Sequence, residues 1–471
     1  MSPESQPDRP GRPLLRRLLG RFSATELGGL AKDTGFVGIW QAAIISAGLA
    51  QIALLTHAFG LSGYGRFAVI VAFVELVGGF FNLRVGYAST TFGARWLVRD
   101  PRTAAGVFQY SFVIDLATTA LAVPLVAVLA LTAGPHVAGD GSTDLIILYA
   151  FALIGPVLSR MSFVILRLLD RFALIATYQW ALELGRVVLI FLAIELFHSL
   201  LAVIVAILVA RLIAGVINIT VAARVFRRAH DLPLTRPQLH CLEHSERRSM
   251  LRMMFHTFLI SYSHVVRAQL PTVLLGALAG PTQTGIYRIG IAGAAAVGKV
   301  IAPASNALLP RLSRMWAAGR LSELRTMIFR ASLISGAAMG VAFLAIVIFQ
   351  NPILRFLGGG PEGEAAGTVL IIGAATQALY GLVFWHSTLL FASDNTGPMS
   401  VVNVVAAIVH ILSLLVLVPS FGATGAAWAL LASQGLINVS LTTLALRAMR
   451  SATAEAAAAA DGPTAAPAAA G

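Results

Sequence analysis

Positively charged side chains lie within stretches of this sequence that are apolar enough to cross a membrane. Residues 285–303 contain Arg288 and Lys299, which are eleven positions apart. At about 100° per residue, this spacing places both side chains on one face of a helix. A charge at the bilayer centre costs about 2.5–3.5 kcal/mol, so both side chains are expected to face water, a partner or a ligand. Guanidinium and ammonium groups are strong donors to phosphate oxygens, and the stripe therefore predicts a site for an anion.

A second apolar stretch carries Arg267 and, one turn earlier, His264. No acidic residue lies within four positions of Arg267 or of Lys299, so neither cation has a local partner. Glu183 and Arg186 differ, because they are three residues apart on one predicted helix. This spacing predicts a structural ion pair within the membrane.

The composition is that of a membrane protein. Of the 471 residues, 57% are hydrophobic and 12% are charged, and the mean hydropathy is +0.82. Soluble proteins carry about 25% charged residues. The single cysteine, Cys241, excludes an internal disulfide and a cysteine-based metal cluster. The net charge of +13 is not gathered in one patch, which argues against a nucleic-acid partner.

Catalytic and nucleotide-binding motifs are absent from the sequence. It contains no G-x-x-x-x-G-K-[ST] loop, no H-E-x-x-H and no G-x-S-x-G. We therefore expect no cofactor, no metal and no ATP-driven step carried out by this chain alone.

Twelve apolar runs are long enough to cross a bilayer, which needs about 20 residues per helix. The runs are 36–58, 65–83, 107–132, 144–166, 174–197, 199–223, 254–279, 284–309, 327–350, 367–392, 399–418 and 423–446. With the N-terminus in the cytoplasm, the segments on that side carry 27 of the 34 lysine and arginine residues. Cytoplasmic loops are enriched in these residues, so both termini are predicted to be cytoplasmic.

The longest polar loop divides the chain into two halves of six predicted helices. The two halves have a similar stretch of sequence, since a constant offset aligns Gly63 with Gly285 and Arg66 with Arg288. The first residue of each pair lies at the start of the second run and the other at the start of the eighth. This predicts a duplicated transporter. The expected organisation has five parts. They are a basic cytoplasmic N-terminal segment (1–34), an N-lobe (35–223), a cytoplasmic linker (224–253), a C-lobe (254–447) and a disordered Ala-rich tail (448–471).

Several stretches resemble the bacterial polysaccharide-biosynthesis flippases (Wzx-like) of the MATE-like multidrug/oligosaccharidyl-lipid/polysaccharide exporter superfamily. They include GIYR leading into the eighth run, then PRLSRMWAAGR, and further along NPILRFLGGGPEGEAAGTVLIIG and VPSFGATGAAWAL. The resemblance implies an all-α polytopic membrane protein whose two six-helix lobes form a V. It also implies that runs one, two, seven and eight line a lumen, and that the substrate is an undecaprenyl-pyrophosphate-linked oligosaccharide.

On that fold, the cations of runs seven and eight would face the lumen and bind pyrophosphate. The predicted substrate-binding residues are Arg267, Lys299, Arg288, His264 and Arg66. For Arg288 an alternative to substrate binding is equally good: its side chain would extend to the membrane surface and anchor the helix there. Glu75, the one carboxylate in the four lumen runs, either couples transport to protons or neutralises Lys299. Arg211 is expected to pair with Glu183 or Asp115, away from the lumen.

The predicted function is a flippase in the bacterial inner membrane that moves the lipid-linked oligosaccharide to the outer leaflet for O-antigen or exopolysaccharide synthesis. Its expected partners are membrane lipids and the polymerase and glycosyltransferases of the same pathway. One alternative is a MATE-like multidrug or cation exporter, whose lumen should be acidic. The other is a membrane glycan polymerase or glycosyltransferase, against which the short predicted outer loops argue.

Overall fold

The structure is a computed structural model that describes most of the chain. It covers residues 24–298 except 235–237, 239 and 240, then positions 308, 312 and 314–316, and residues 318–460 except 359 and 394. These described residues form α-helices and short 3₁₀ turns, and no strand. Lys299 lies outside the described residues.

The first half of the chain contains helices that follow one another with short connections. They are α1 (Ala24–Phe80), α2 (Val85–Arg99), α3 (Pro101–Ala138), α4 (Thr143–Ala150), α5 (Ile154–Leu168), α6 (Phe172–Phe197) and α7 (Leu200–His230). A 3₁₀ turn, Phe151–Leu153, joins α4 to α5.

The second half begins with another long helix. Its helices are α8 (His244–Gly298), α9 (Leu321–Gly358), α10 (Gly367–Val383), α11 (Trp385–Ala392) and α12 (Thr396–Ala460), with a 3₁₀ turn at Pro361–Ala366 before α10. The labels count helices and not membrane crossings, because the three longest helices are each interrupted.

The interruptions lie at glycines that separate pairs of predicted spans. Gly60 in α1 has φ 68° and ψ −179°, and Gly280 in α8 has nearly the same conformation, φ 83° and ψ 174°. Only glycine adopts this region readily, since a side chain would clash with the backbone. Gly422 interrupts α12 at φ 51°. The breaks in α1 and α8 lie close to the offset that aligns Gly63 with Gly285, two residues out of register, and the duplication stays a prediction.

Seven stretches in the described part of the chain are long and apolar enough to cross a membrane, judged by length and composition. Their outer faces are apolar, as on α9, where Phe329, Ile334 and Val341 are each about 70% exposed, at 69%, 71% and 70%. Such surfaces suit contact with lipid. The chain is a multi-pass membrane protein. Twelve crossings with both ends in the cytoplasm, and the five-part organisation, stay predictions.

The segments flanking the lobes are more helical than the sequence analysis suggested. Helix α7 continues to His230 and α8 already begins at His244, within the segment 224–253 that was expected to be a linker. Helix α12 includes the Ala-rich segment as far as Ala460, where disorder was expected. Alanine has the highest intrinsic helix propensity, so a low-complexity alanine run can extend an existing helix.

A side-chain cap fixes the turn between α2 and α3. Asp100 accepts hydrogen bonds from the backbone N–H groups of Arg102 and Thr103 at 3.0 and 3.1 Å. The Thr103 hydroxyl donates a further bond at 2.6 Å and holds the pKa of Asp100 below its usual value. Aspartate at this position satisfies N–H groups that have no partner within the helix.

The two halves are joined chiefly by α1 and α8, which pack against each other more extensively than any other two described helices. At one end of this contact, the Phe80 ring lies 5.9 Å from the Phe258 ring and 5.5 Å from the Tyr262 ring. At the other end, Gly65 and Gly285 bring the two backbones close together. A ligand that contacts both halves would therefore lie in a cavity that α1 lines.

Candidate functional site

Three arginines from three helices line one cavity of about 340 Å³. Arg186 comes from α6, Arg211 from α7 and Arg288 from α8, and we call this space the arginine cavity. Its remaining walls are mostly apolar residues of α1, α7 and α8, with three polar side chains, Gln51, Tyr64 and Tyr149. An apolar cleft with a few converging polar groups is the usual form of a ligand site.

Two of the three arginines are held by carboxylates. Arg186 Nη2 lies 2.7 Å from Glu183 Oε2, and its Nη1 donates to Gln51 Oε1 at 2.7 Å. The Glu183–Arg186 pair predicted from the sequence is thus present, but Arg186 also faces the cavity. Arg211 Nη2 lies 3.4 Å from Glu75 Oε1, and its guanidinium carbon is 5.3 Å from the centre of the Tyr149 ring.

Arg288 has no such carboxylate. It forms none of the ion pairs found in the described part of the chain, and its Nε is buried without a hydrogen-bond partner there. Among the described residues, the arginine cavity therefore has three guanidinium groups but only two paired carboxylates, Glu75 and Glu183. Arg288 is partly buried and interacts with the Tyr64 hydroxyl, a neutral group that does not balance its charge. A partly buried charge without a counter-charge is costly, and an anionic ligand would offset that cost.

A second cavity of about 200 Å³ is lined by two acidic and two basic residues. Its charged residues are Glu75, Asp115, Arg160 and Arg211, and Gln269 of α8 also lines it. We call it the carboxylate cavity. Asp115 forms an ion pair with Arg160, and Glu75 Oε2 accepts a hydrogen bond from Gln269 Nε2 at 2.7 Å.

The two cavities follow one face of α1. The α1 residues that line the arginine cavity beyond Gly60 are 64, 67, 68 and 71, and those that line the carboxylate cavity are 75, 78 and 79, with residue 82 just past the end of α1. These positions recur every three or four residues, at 64, 67/68, 71, 75 and 78/79, which is the spacing of neighbours on a helix surface. Arg211 lines both cavities, so its pair with Glu75 marks the boundary between them.

Other predicted site residues lie elsewhere. Arg66 donates to Ser142 Oγ at 2.9 Å and to the Asp140 carbonyl, in the turn between α3 and α4. Arg267 is 6% exposed, and its Nη2 lies 2.9 Å from His264 Nδ1 and 3.2 Å from Asn403 Oδ1. Neither of these two arginines lines either cavity, and His264 lines neither as well. Their predicted contact with substrate stays a prediction, as does that of Lys299.

Sequence reasoning missed Arg211 as a cavity residue. It was expected to pair with Glu183 or Asp115, but its ion pair is with Glu75, while Asp115 pairs with Arg160. Asp115 was placed away from the lumen, yet it lines the carboxylate cavity. The available signal was the cost of an intramembrane charge, which marked Arg211 as unusual but did not identify its neighbours.

The arrangement suits the binding of an anion more than covalent chemistry. Guanidinium groups donate in a planar fork that matches phosphate oxygens, and a water-poor wall strengthens the attraction. No group of three or more histidine, cysteine, aspartate or glutamate side chains in the described residues could hold a metal ion.

Comparison with known proteins relates the whole arrangement to transporters. The chain is 25% identical over 196 residues to the "Putative O-antigen transporter" of Escherichia coli (strain K12), a match that spans 41% of this chain and 46% of that protein, less than half its length. The structure resembles an inward-facing multidrug resistance MATE family transporter of the MOP superfamily, with a TM-score of 0.69 at 14% identity over 86% of this chain and 94% of that one.

It also resembles the lipid II flippase MurJ in an inward closed conformation, with a TM-score of 0.67 at 12% identity over 88% of this chain and 89% of that one. At these identities the two structures show a shared fold. Residues 30–316 match the family described as "Polysaccharide biosynthesis protein", which is more than half of the chain. The chain belongs to the polysaccharide biosynthesis protein family and has the fold of the MATE transporters.

Proposed function

We propose that this protein is a flippase of the bacterial inner membrane that moves a polyprenyl-pyrophosphate-linked oligosaccharide from the cytoplasmic to the outer leaflet. The observation that carries the proposal is the arginine cavity, with the unmatched charge of Arg288. A pyrophosphate diester carries about two negative charges and several acceptor oxygens, which suit converging guanidinium groups. The family and the O-antigen transporter relative support a saccharide substrate.

The charge of the arginine cavity separates this function from the alternatives. A cavity for cationic drugs would need carboxylates without partners, whereas Glu75 and Glu183 both have arginine partners. The relatives named above are transporters, which argues against a polymerase or glycosyltransferase. Enzymes of the same pathway are then the partners, since glycosyltransferases would build the substrate and a polymerase would consume it.

The cycle we propose is alternating access of the two halves about α1 and α8. Pyrophosphate binds at Arg288, Arg211 and Arg186, while the polyprenyl chain remains in the bilayer. Because α1 and α8 both line the arginine cavity, a ligand there contacts both halves and can favour one arrangement over another.

Binding to the purified full-length protein in lipid nanodiscs tests the proposal. The probes are a short-chain polyprenyl pyrophosphate, the matching monophosphate and the lipophilic cation tetraphenylphosphonium. We expect pyrophosphate to bind tightest and Arg288→Ala to weaken it about tenfold or more, which corresponds to about 1.4 kcal/mol. Arg288→Lys should retain part of the affinity, because it keeps the charge.

The matched control is Arg355→Ala. Arg355 is an exposed arginine that pairs with Glu364 at 2.8 Å and lines neither cavity, so its loss should leave the affinity unchanged. Tighter binding of tetraphenylphosphonium than of pyrophosphate, or wild-type affinity in Arg288→Ala, would overturn the proposal. Lys299 lies outside the described residues, and Lys299→Gln in the same assay tests the prediction that its charge binds the pyrophosphate.

A further inference from the structure

Two buried acceptor atoms of the carboxylate cavity have no hydrogen-bond partner in the described part of the chain. They are Asp115 Oδ2 and Gln269 Oε1. The rest of each side chain is occupied, since Asp115 Oδ1 accepts from Arg160 and Gln269 Nε2 donates to Glu75. Asp115 is only 1% exposed, so its free oxygen faces no bulk solvent. Buried acceptors of this kind are normally paired, and here both require a donor.

The charge of the cavity indicates what kind of donor fits. Glu75 and Asp115 are balanced by Arg211 and Arg160, so the four charged side chains have no net charge. A metal cation would be repelled by two guanidinium groups, and a phosphate would meet two carboxylates. A neutral group with several hydroxyls meets neither penalty, because each hydroxyl can both donate and accept. Carboxylate acceptors form strong bonds with hydroxyl donors.

Size and position narrow the ligand further. The cavity volume of about 200 Å³ is comparable with one hexose and too small for an oligosaccharide. Arg211 lines this cavity and the arginine cavity, on one continuous face of α1. A phosphate bound at Arg211 would place the attached sugar carbon a single ester oxygen away, at the Glu75 boundary.

We propose that the carboxylate cavity binds the first sugar of the transported lipid, the one attached to pyrophosphate, through hydroxyl hydrogen bonds to Asp115 Oδ2 and Gln269 Oε1. The inference rests on the function proposed above and adds a specificity-determining subsite to it. The arginine cavity recognises the pyrophosphate common to all such lipids. The carboxylate cavity distinguishes which sugar follows it, since the positions of two fixed acceptors select the hydroxyl stereochemistry.

The test compares a sugar-free short-chain polyprenyl pyrophosphate with the same lipid carrying one glucose, galactose or N-acetylglucosamine. The full-length protein is held in nanodiscs, and Kd is measured for each probe. We expect at least one glycosylated probe to bind about tenfold tighter than the sugar-free lipid, the effect of about 1.4 kcal/mol of added interaction. Asp115→Asn should reduce this ratio to near one, because an amide nitrogen replaces an acceptor.

A second variant keeps the test decisive if Asp115→Asn, which weakens the Arg160 pair, fails to fold. Ala122 lies on the wall of the cavity and is 1% exposed, so Ala122→Leu should fill the space without changing any ion pair. It should abolish the preference for the sugar. The matched control is Ala117→Leu on the exposed side of the same helix, which should keep the wild-type ratio.

The outcomes are distinguishable from failure of the proposed function. If Arg288→Ala weakens all pyrophosphate probes while Ala122→Leu affects only glycosylated ones, both proposals hold. If the wild-type protein binds all pyrophosphate probes equally, or Ala122→Leu keeps the wild-type ratio, the carboxylate cavity holds only water and the sugar subsite is wrong. Absence of pyrophosphate binding altogether would instead overturn the proposed function.

Discussion

At the scale of single residues, the intramembrane arginines differ in what neutralises them. Arg186 and Arg211 are paired with carboxylates and still reach the arginine cavity. Arg267 is buried among uncharged groups, His264, Asn403 and the Ser263 carbonyl, and lines neither cavity. An arginine with this environment contributes to the packing of α8 against α12, because it joins residues of both helices.

We therefore predict that Arg267→Ala lowers stability more than it lowers pyrophosphate affinity. The substitution leaves the buried Asn403 Oδ1 without this donor, and an unsatisfied buried group costs about 1–3 kcal/mol. Thermal unfolding of the purified variant should begin at a lower temperature, while Kd for polyprenyl pyrophosphate should stay near that of the wild type. A normal melting temperature with lost binding would place Arg267 in the substrate path, as the sequence analysis predicted.

How much of the site could be predicted depended on how far apart in the sequence the partners of each ion pair lie. The Glu183–Arg186 pair was found because its residues are three positions apart on one helix. Arg211 and Glu75 are 136 positions apart, and Arg160 and Asp115 are 45 apart. Periodicity fixes neighbours within a helix and not across helices, so these partners followed only from the packing. The cost of charge in lipid identified which residues mattered, but not their arrangement.

At the scale of the elements, the crossing of α1 and α8 depends on missing side chains. A Cβ at Gly65 would lie 1.8 Å from the Pro281 carbonyl oxygen, and one at Gly285 would lie 2.2 Å from the Leu61 carbonyl oxygen. The obstructing atoms are backbone, so they cannot move aside as a flexible side chain would. Small residues allow such close approach between membrane helices.

Gly65→Ala or Gly285→Ala should separate α1 from α8 and destabilise the protein. Overpacking of this kind costs about 1–3 kcal/mol and occasionally more. The matched control is Gly340→Ala in α9, where nothing lies within 4 Å of the new Cβ, so its stability should be unchanged or slightly raised. Melting curves of the three variants in detergent measure the difference. Equal melting temperatures for all three would show that the crossing tolerates side chains.

The elements themselves were largely readable from hydropathy. Apolar runs are detected because each must bury its backbone polar groups within a helix. The boundary at Gly280 was placed in the predicted turn before residue 284, and the structure has a helix break there. Helix ends in polar segments were less predictable, as with α8, which begins at His244 because packing of Met250 and Met254 extends it. Tertiary packing often outweighs local propensity at such ends.

At the scale of the whole molecule, the two halves share one hydrophobic core. The main cluster of buried residues includes Leu55 and Ile70 of α1 together with Ile289 of α8 and Leu354 of α9. Residues of both halves also bind each other through Glu75 and Gln269, at the boundary between the two cavities. A change in the angle between the halves must therefore rearrange the walls of both cavities, which would couple ligand binding to the alternating access proposed above.

The orientation of the molecule is the remaining prediction at this scale, and it rests on the distribution of cations. With both termini in the cytoplasm, 27 of 34 lysine and arginine residues fall on the cytoplasmic side. Reporter fusions after Asp140 and Gly422 should then report the outside, and a fusion after Glu243 the inside. Gly422 is informative because it interrupts α12, so that an outside signal there requires this helix to cross the membrane twice. Alkaline phosphatase, active only outside, and a fluorescent protein, active only inside, give complementary readings at each site. Phosphatase activity at Glu243 would show that the topology is the reverse of the predicted one. The Arg-rich loops would then lie outside, against the rule that cytoplasmic loops are enriched in lysine and arginine.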